Sequence, residues 1–456
     1  MRSIFNIASS ACLLGALSVG AASDFSFTVR QNWPWDTRIL IDVAMPEGTN
    51  DVELTASFVN GGVRHEIALD CGTGLSMSPF SLTGGVHRLV WDPAACGYAG
   101  AISALDISAK ACSADEHAWI VIDLDTGAAQ YVALGDEQKD ATGRPWQDLE
   151  YKTSKMVFRR IPAGTFTRGY TADEKTYVFG LDGGSDNTVL TAAETTLTSD
   201  YYISIYETTK AQVCRIVGKS SSLSDPKPDA GVVCASGFVC FQRGSNSVEG
   251  INWPFTKFAV TPTSIVGRFR SLCRNRFMID LPTCAQWQKA ARPDSKWLWY
   301  DTSSYPGGLA GGTVNDSYDV LTNIVAHISD GYRRAFGGAE YEYSPPDVVG
   351  TYLPNPYGLY DLVGSRLELV LDMWNGNAAA AASAGIDPVG MAQQNYNWRM
   401  LCNSYSQNKT LTQWLMASAS AQNVSDAAHK SGNEFCYRYV IHLNPPQSFG
   451  GKWFNE

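Results

Sequence analysis

Among its 11 cysteines the 456-residue chain has no CxxC pair, and its 6 histidines are all isolated from one another. Zinc modules and thioredoxin-type redox sites need thiols or imidazoles at short, fixed spacing, so both classes are poorly supported. Basic charge is also scarce. The 35 Lys and Arg are outnumbered by 45 Asp and Glu, for a net charge of −10. No basic run is dense enough to follow a phosphate backbone, which argues against a nucleic-acid partner. Long apolar runs are missing past the N-terminus, and a membrane-crossing helix needs about 20 such residues. The mature chain is therefore expected to have no transmembrane segment.

What remains is the composition of a folded protein, 45% hydrophobic and 18% charged with 13 Trp, in a length that suits two to three domains. Residues 1–22 carry Arg2, an apolar stretch from about Ala11 to Val19, and small residues Gly20, Ala21 and Ala22. This is the pattern of a secretory signal peptide, predicting a secreted, periplasmic or extracellular protein. Loss of that segment removes Cys12 and leaves an even number of cysteines, which favours disulfides in an oxidising compartment. Cys234 and Cys240 are spaced so that they could close a small loop.

Residues 23–112 alternate apolar and polar positions in short runs such as Arg38 to Val43 and Val52 to Ala56, broken at Pro46-Glu47-Gly48 and Gly84-Gly85. That periodicity predicts an Ig-like β-sandwich, with Trp33, Trp35 and Trp91 as packing anchors. Residues 113–151 read as a β-hairpin, Ala118 to Asp123 and Tyr131 to Leu134 around Asp125-Thr126-Gly127, followed by a polar linker containing Pro145. Beyond Lys152 aromatics and glycines dominate. Short helices are predicted over Thr208 to Gly218, Thr261 to Arg274 and Pro282 to Ala291.

Four segments then occur in a fixed order: Phe158 to Gly169, Tyr201 to Gln212, Leu281 to Arg292 and Asn355 to Leu369. Asp387-Pro388-Val389-Gly390, Arg399 and Tyr437-Arg438 follow. Together they resemble the motifs of the sulfatase-modifying-factor family, which includes the formylglycine-generating enzymes. The resemblance implies a large α+β domain over residues 152–448, C-type-lectin-like and low in regular structure, after an N-terminal all-β sandwich.

It also implies chemistry, which can be carried over position by position. Family oxidases convert a substrate cysteine with O₂ and hold copper(I) between two soft thiolates. If Ser404-Tyr405 takes the place of the motif before that pair, the two family cysteines fall at Gln407 and near Thr412, so copper is not expected. Cys402 is the nearest thiol and the weak catalytic candidate. Iron enzymes of the same group use closely spaced histidines, and none is present. Family members bind calcium near the segment that ends at Leu369, where Glu368 and Ser365 stand as possible ligands for a hard, oxygen-seeking ion. The same resemblance implies a disulfide between Cys273 and Cys436. Trp299, Tyr300, Trp398 and Arg399 are candidate contacts for an exported protein, peptide or glycan. The reading that follows is a secreted, non-catalytic binding or structural protein; the alternative is an active oxidase of exported proteins with a rearranged metal site.

Overall fold

The computed structural model describes residues 25–31, 38–46, 52–68, 75–77, 85–94, 97–169, 171, 192–220, 222–227, 262–273, 277–292, 304, 348–351, 353–362, 367–373, 385–388, 398–402, 419–423 and 435–443. The expected signal peptide, Trp33 and Trp35 lie outside them. The chain divides into two compact units, 1–116 with short pieces at 126–129 and 273–276, and the remainder.

The first unit holds strands β1 (Ser26–Gln31), β2 (Ile39–Met45), β3 (Val52–Asn60), β4 (Val63–Ala68), β5 (Leu75–Met77), β6 (Gly85–Trp91) and β7 (Ile102–Ala111). They form two antiparallel sheets, β1-β2-β6-β5 and β4-β3-β7. Period-two alternation puts Ile39, Ile41 and Val43 in the core. Asp42, between them, instead meets Arg30 and Arg88 on the neighbouring strands at 2.5 and 2.6 Å. Phe58 of β3 meets Trp91 of β6 edge-on at 4.9 Å, so the two sheets close on one apolar layer, as a sandwich requires.

The second unit contains β8 (Trp119–Asp123), β9 (Ala129–Val132), β10 (Lys155–Ile161), β11 (Gly164–Arg168), β12 (Ala193–Leu197), β13 (Tyr201–Ser204), β14 (Met278–Asp280), β15 (Leu367–Met373), β16 (Gly385–Ile386), β17 (Trp398–Cys402), β18 (Ala419–Asn423), β19 (Phe435–Cys436) and β20 (Val440–His442). Its helices are α1 (Lys210–Val217), α2 (Ile265–Leu272) and α3 (Cys284–Ala291). The strands form a six-stranded sheet β14-β20-β13-β10-β8-β9, a four-stranded sheet β18-β17-β15-β19 and a small sheet β11-β12-β16.

The two best-capped helices carry the same sequence device. Thr209 and Thr283 each accept a hydrogen bond from the backbone N–H three residues on, while Gln212 and Gln286 reach back to the cap N–H. Both otherwise unpaired ends are thereby satisfied. Gly218 then ends α1 in the left-handed region at φ 74°, where only glycine is unstrained.

One expected boundary changes. The hairpin and linker assigned to 113–151 do not stand apart from the large domain, because β8 pairs with β10 from Trp119↔Arg159 to Asp123↔Lys155. The expected hairpin forms, with β8 beside β9, but Trp119-Ile120-Val121-Ile122 is a continuous apolar run buried on both faces, the mark of an interior strand of the larger sheet. Trp146 and Tyr151, in the supposed linker, are core residues of the same cluster.

Candidate functional site

The four-stranded sheet and α3 enclose a buried ion pair. Arg438 Nε donates to both oxygens of Glu368 at 2.9 Å, and Trp287 Nε1 on α3 donates to Oε2 at 2.7 Å. The other guanidinium nitrogens donate to backbone carbonyls, Nη1 to Ile205 at 2.6 Å and Nη2 to Tyr360. Both charged side chains are 0% exposed. A charge pair so deep is tolerable only when nearly every donor and acceptor is met, and here the planar fork of arginine meets one carboxylate and two chain segments together.

Burial pushes the Glu368 carboxyl above its ordinary range, and Arg438 pulls it back. For Arg438, burial acts downward but Glu368 and then Glu207 outweigh it, so the guanidinium is held more firmly charged. Asp361 adds to the negative field around the pair while accepting a 2.5 Å hydrogen bond from Gly350 N. Its φ of 57° lies in the left-handed region, where a short polar side chain is tolerated best among non-glycine residues.

Glu207, Glu368 and Cys436 each bring one ligand-type atom within 4.8 Å of the others, all buried. This set does not fit calcium. Ca²⁺ takes about six to eight oxygens, whereas the group offers two carboxylates and a sulfur, and the oxygens of Glu368 are already engaged by a guanidinium and an indole N–H. A second cation there would face Arg438 directly. Ser365, the other expected calcium ligand, lies outside the described residues.

Strand register decides what the cysteines can do together. Cys402 of β17 pairs with Glu368 of β15, and Glu368 pairs on its other side with Cys436 of β19. The two cysteines thus stand two strands apart, with backbones separated by about 10 Å at ordinary strand spacing. A disulfide needs Cα atoms within about 7 Å. Between them sits a carboxylate already bound to arginine. Cys273 and Cys436 are both buried.

Trp398 and Arg399 open β17, and their backbones pair with Asn423 and Gln422 of β18; their side chains are not among the described ones. Cys234, Cys240, Trp299 and Tyr300 lie outside the described residues. The sequence reading did not single out Arg438, Trp287, Glu207 or Asp361 as site residues. Yet each falls in one of the ordered motifs, and the signal that could have found them is that a buried carboxylate demands a cationic partner from another motif.

The fold, with its motif segments converging on one buried ion pair, is that of a domain of the formylglycine-generating-enzyme type. The family model for the sulfatase-modifying factor enzyme 1-like domain matches residues 145–433, more than half of the chain, and the chain belongs to that family. Among solved structures, PvdO from Pseudomonas aeruginosa is similar at 17% identity, with 63% of this chain and 94% of that chain covered and a TM-score of 0.37. Treponema denticola variable protein 1 is similar at 16% identity, with 63% and 95% covered and a TM-score of 0.36. No curated protein matches.

Proposed function

We propose that this chain is an exported member of the family whose large domain binds a ligand and does not oxidise cysteine. The observation that carries this reading is the row Cys402–Glu368–Cys436, in which a carboxylate held by arginine separates the two thiol-bearing strands. Copper(I) chemistry of the family type needs two thiolates on one ion, and if Ser404-Tyr405 takes the place of the motif before that pair, its two positions fall at Gln407 and near Thr412, where no cysteine stands. Export rests on the charged, apolar and small-residue order of residues 1–22.

The test is turnover. The full mature chain, supplied with copper and a cysteine-containing sulfatase-type peptide, is expected to show no peptide-dependent O₂ uptake and no loss of the peptide thiol by mass spectrometry. Catalytic conversion of the peptide would establish the rearranged-oxidase reading instead.

A further inference from the structure

Helix α3 is tied to the six-stranded sheet by a histidine of β20. His442 is fully buried, and its Nδ1 lies 3.1 Å from Nε2 of Gln286 in the first turn of α3. The capping box fixes the direction of that hydrogen bond. Gln286 Oε1 accepts from Thr283 N at 2.9 Å, so the amide presents its NH₂ to His442, and an NH₂ only donates. Turned the other way, the NH₂ would point at the Thr283 N–H. His442 Nδ1 therefore accepts, which makes the ring neutral with its proton on Nε2.

Register sets Tyr201 of β13 and Met278 of β14 opposite His442. Burial pushes the Tyr201 hydroxyl well above its ordinary range, so it stays protonated and donates to Gln286 O at 2.5 Å. Tyr357, near that hydroxyl, is likewise pushed up by burial. Asp280, two positions along β14, accepts from Leu281 N at 2.8 Å and pairs with Arg270 at 3.4 Å. Asp200, just before β13, is held by Arg160 at 2.7 Å and by Ala163 N, and Lys289 on α3 donates to Gly164 O at 3.2 Å. Of these residue types only histidine ordinarily changes charge between about pH 5 and 8.

We propose that the bond between Gln286 and His442 is an acid-sensitive latch, which holds the start of α3 on the sheet while His442 is neutral and lets it go when His442 is protonated. An imidazolium bears N–H on both ring nitrogens and accepts at neither. Facing Gln286 Nε2, it sets two donors against each other. If the amide turns over to meet it, Oε1 leaves the Thr283 N–H and the capping box opens. Each route leaves a buried donor unmet, whereas a histidine in the unfolded chain takes up its proton at about pH 6.5 without that cost. The unfolded chain then binds more protons than the folded one, so stability falls as pH drops below about 6.5. Trp287 follows Gln286, so loosening there reaches the indole N–H that holds Glu368. The latch is independent of whether the family domain oxidises cysteine.

The test is hydrogen exchange of the full mature chain at pH 7.5 and pH 5, with the intrinsic exchange rates divided out. Peptides covering the first turns of α3 are expected to lose protection about tenfold at pH 5, the factor that one unmet buried donor implies. His442→Asn offers a carboxamide oxygen near the place of Nδ1 and takes up no proton in this range, so its α3 should be equally protected at both pH values. Gln286→Glu keeps the capping box and puts a carboxylate opposite His442, an acceptor for the imidazolium, so its α3 should be better protected at pH 5 than the parent's. That variant decides the matter alone if His442→Asn fails to fold. Equal α3 protection in the parent at the two pH values, or a pH response that the variants leave unchanged, overturns the proposal.

Discussion

Replacing Arg438 by methionine keeps much of the side-chain volume while deleting the charge that faces Glu368. The carboxylate would retain Trp287 Nε1 and lose both Nε contacts, and the carbonyls of Ile205 and Tyr360 would each lose a guanidinium donor, Ile205 O keeping the Tyr360 N–H at 2.9 Å. Breaking one side of a fully buried pair costs about 3–5 kcal/mol. The penalty should also depend on pH. Burial already pushes the Glu368 carboxyl up against the opposing pull of Arg438, so removing the arginine raises it further. A carboxyl whose folded pKa lies above its unfolded value favours folding most while protonated, below the unfolded value. That contribution is lost as pH rises through the interval up to the folded value. Urea unfolding followed by tryptophan fluorescence, at pH 7 and pH 4 with the parent protein compared at each pH, should show the full penalty at pH 7 and a clearly smaller one at pH 4. A penalty below about 1 kcal/mol at neutral pH, or one equal at the two pH values, would refute the view that an ionised pair anchors this core.

Trp287→Phe removes a single 2.7 Å hydrogen bond to the same carboxylate and should cost about 1.5–3 kcal/mol in the same unfolding assay. Gly350→Ala puts a Cβ 2.5 Å from a ring carbon of Tyr206 at φ 73°, so thermal unfolding should show a loss of at least about 1 kcal/mol. Thr283→Ala deletes the side-chain half of the α3 capping box, and about 1 kcal/mol of stability should go with it, measured as a lowered urea midpoint.

Local chemistry was the legible part of the sequence. Thr283 with Gln286, and Thr209 with Gln212, announce their helices because capping is decided within four residues. Alternation through Ile39, Ile41 and Val43 marks a half-buried strand for the same reason. Glu368 was harder to place. Its motif position shows that a carboxylate is wanted there, but its partner Arg438 lies 70 residues onward, and sequence distance carries no record of that encounter. Its sequence leaves a metal ligand and a buried structural acceptor equally open, and in the fold its charge is met by a guanidinium. Residues 113–151 misled for a related reason: the polar stretch around Pro145 reads as a linker, yet Trp146 is drawn into the core by Trp119 and Tyr151. A turn's composition reports its backbone, and not what its one large side chain finds to pack against.

The most direct measurement of the central claim is an anaerobic copper(I) titration of the full mature chain against a competing chelator, run in parallel on Cys402→Ser. With Cys402 and Cys436 on strands either side of Glu368, the two proteins are predicted to hold copper equally weakly, well short of one tightly bound ion per chain. One tight copper(I) per chain that disappears in Cys402→Ser would contradict the account.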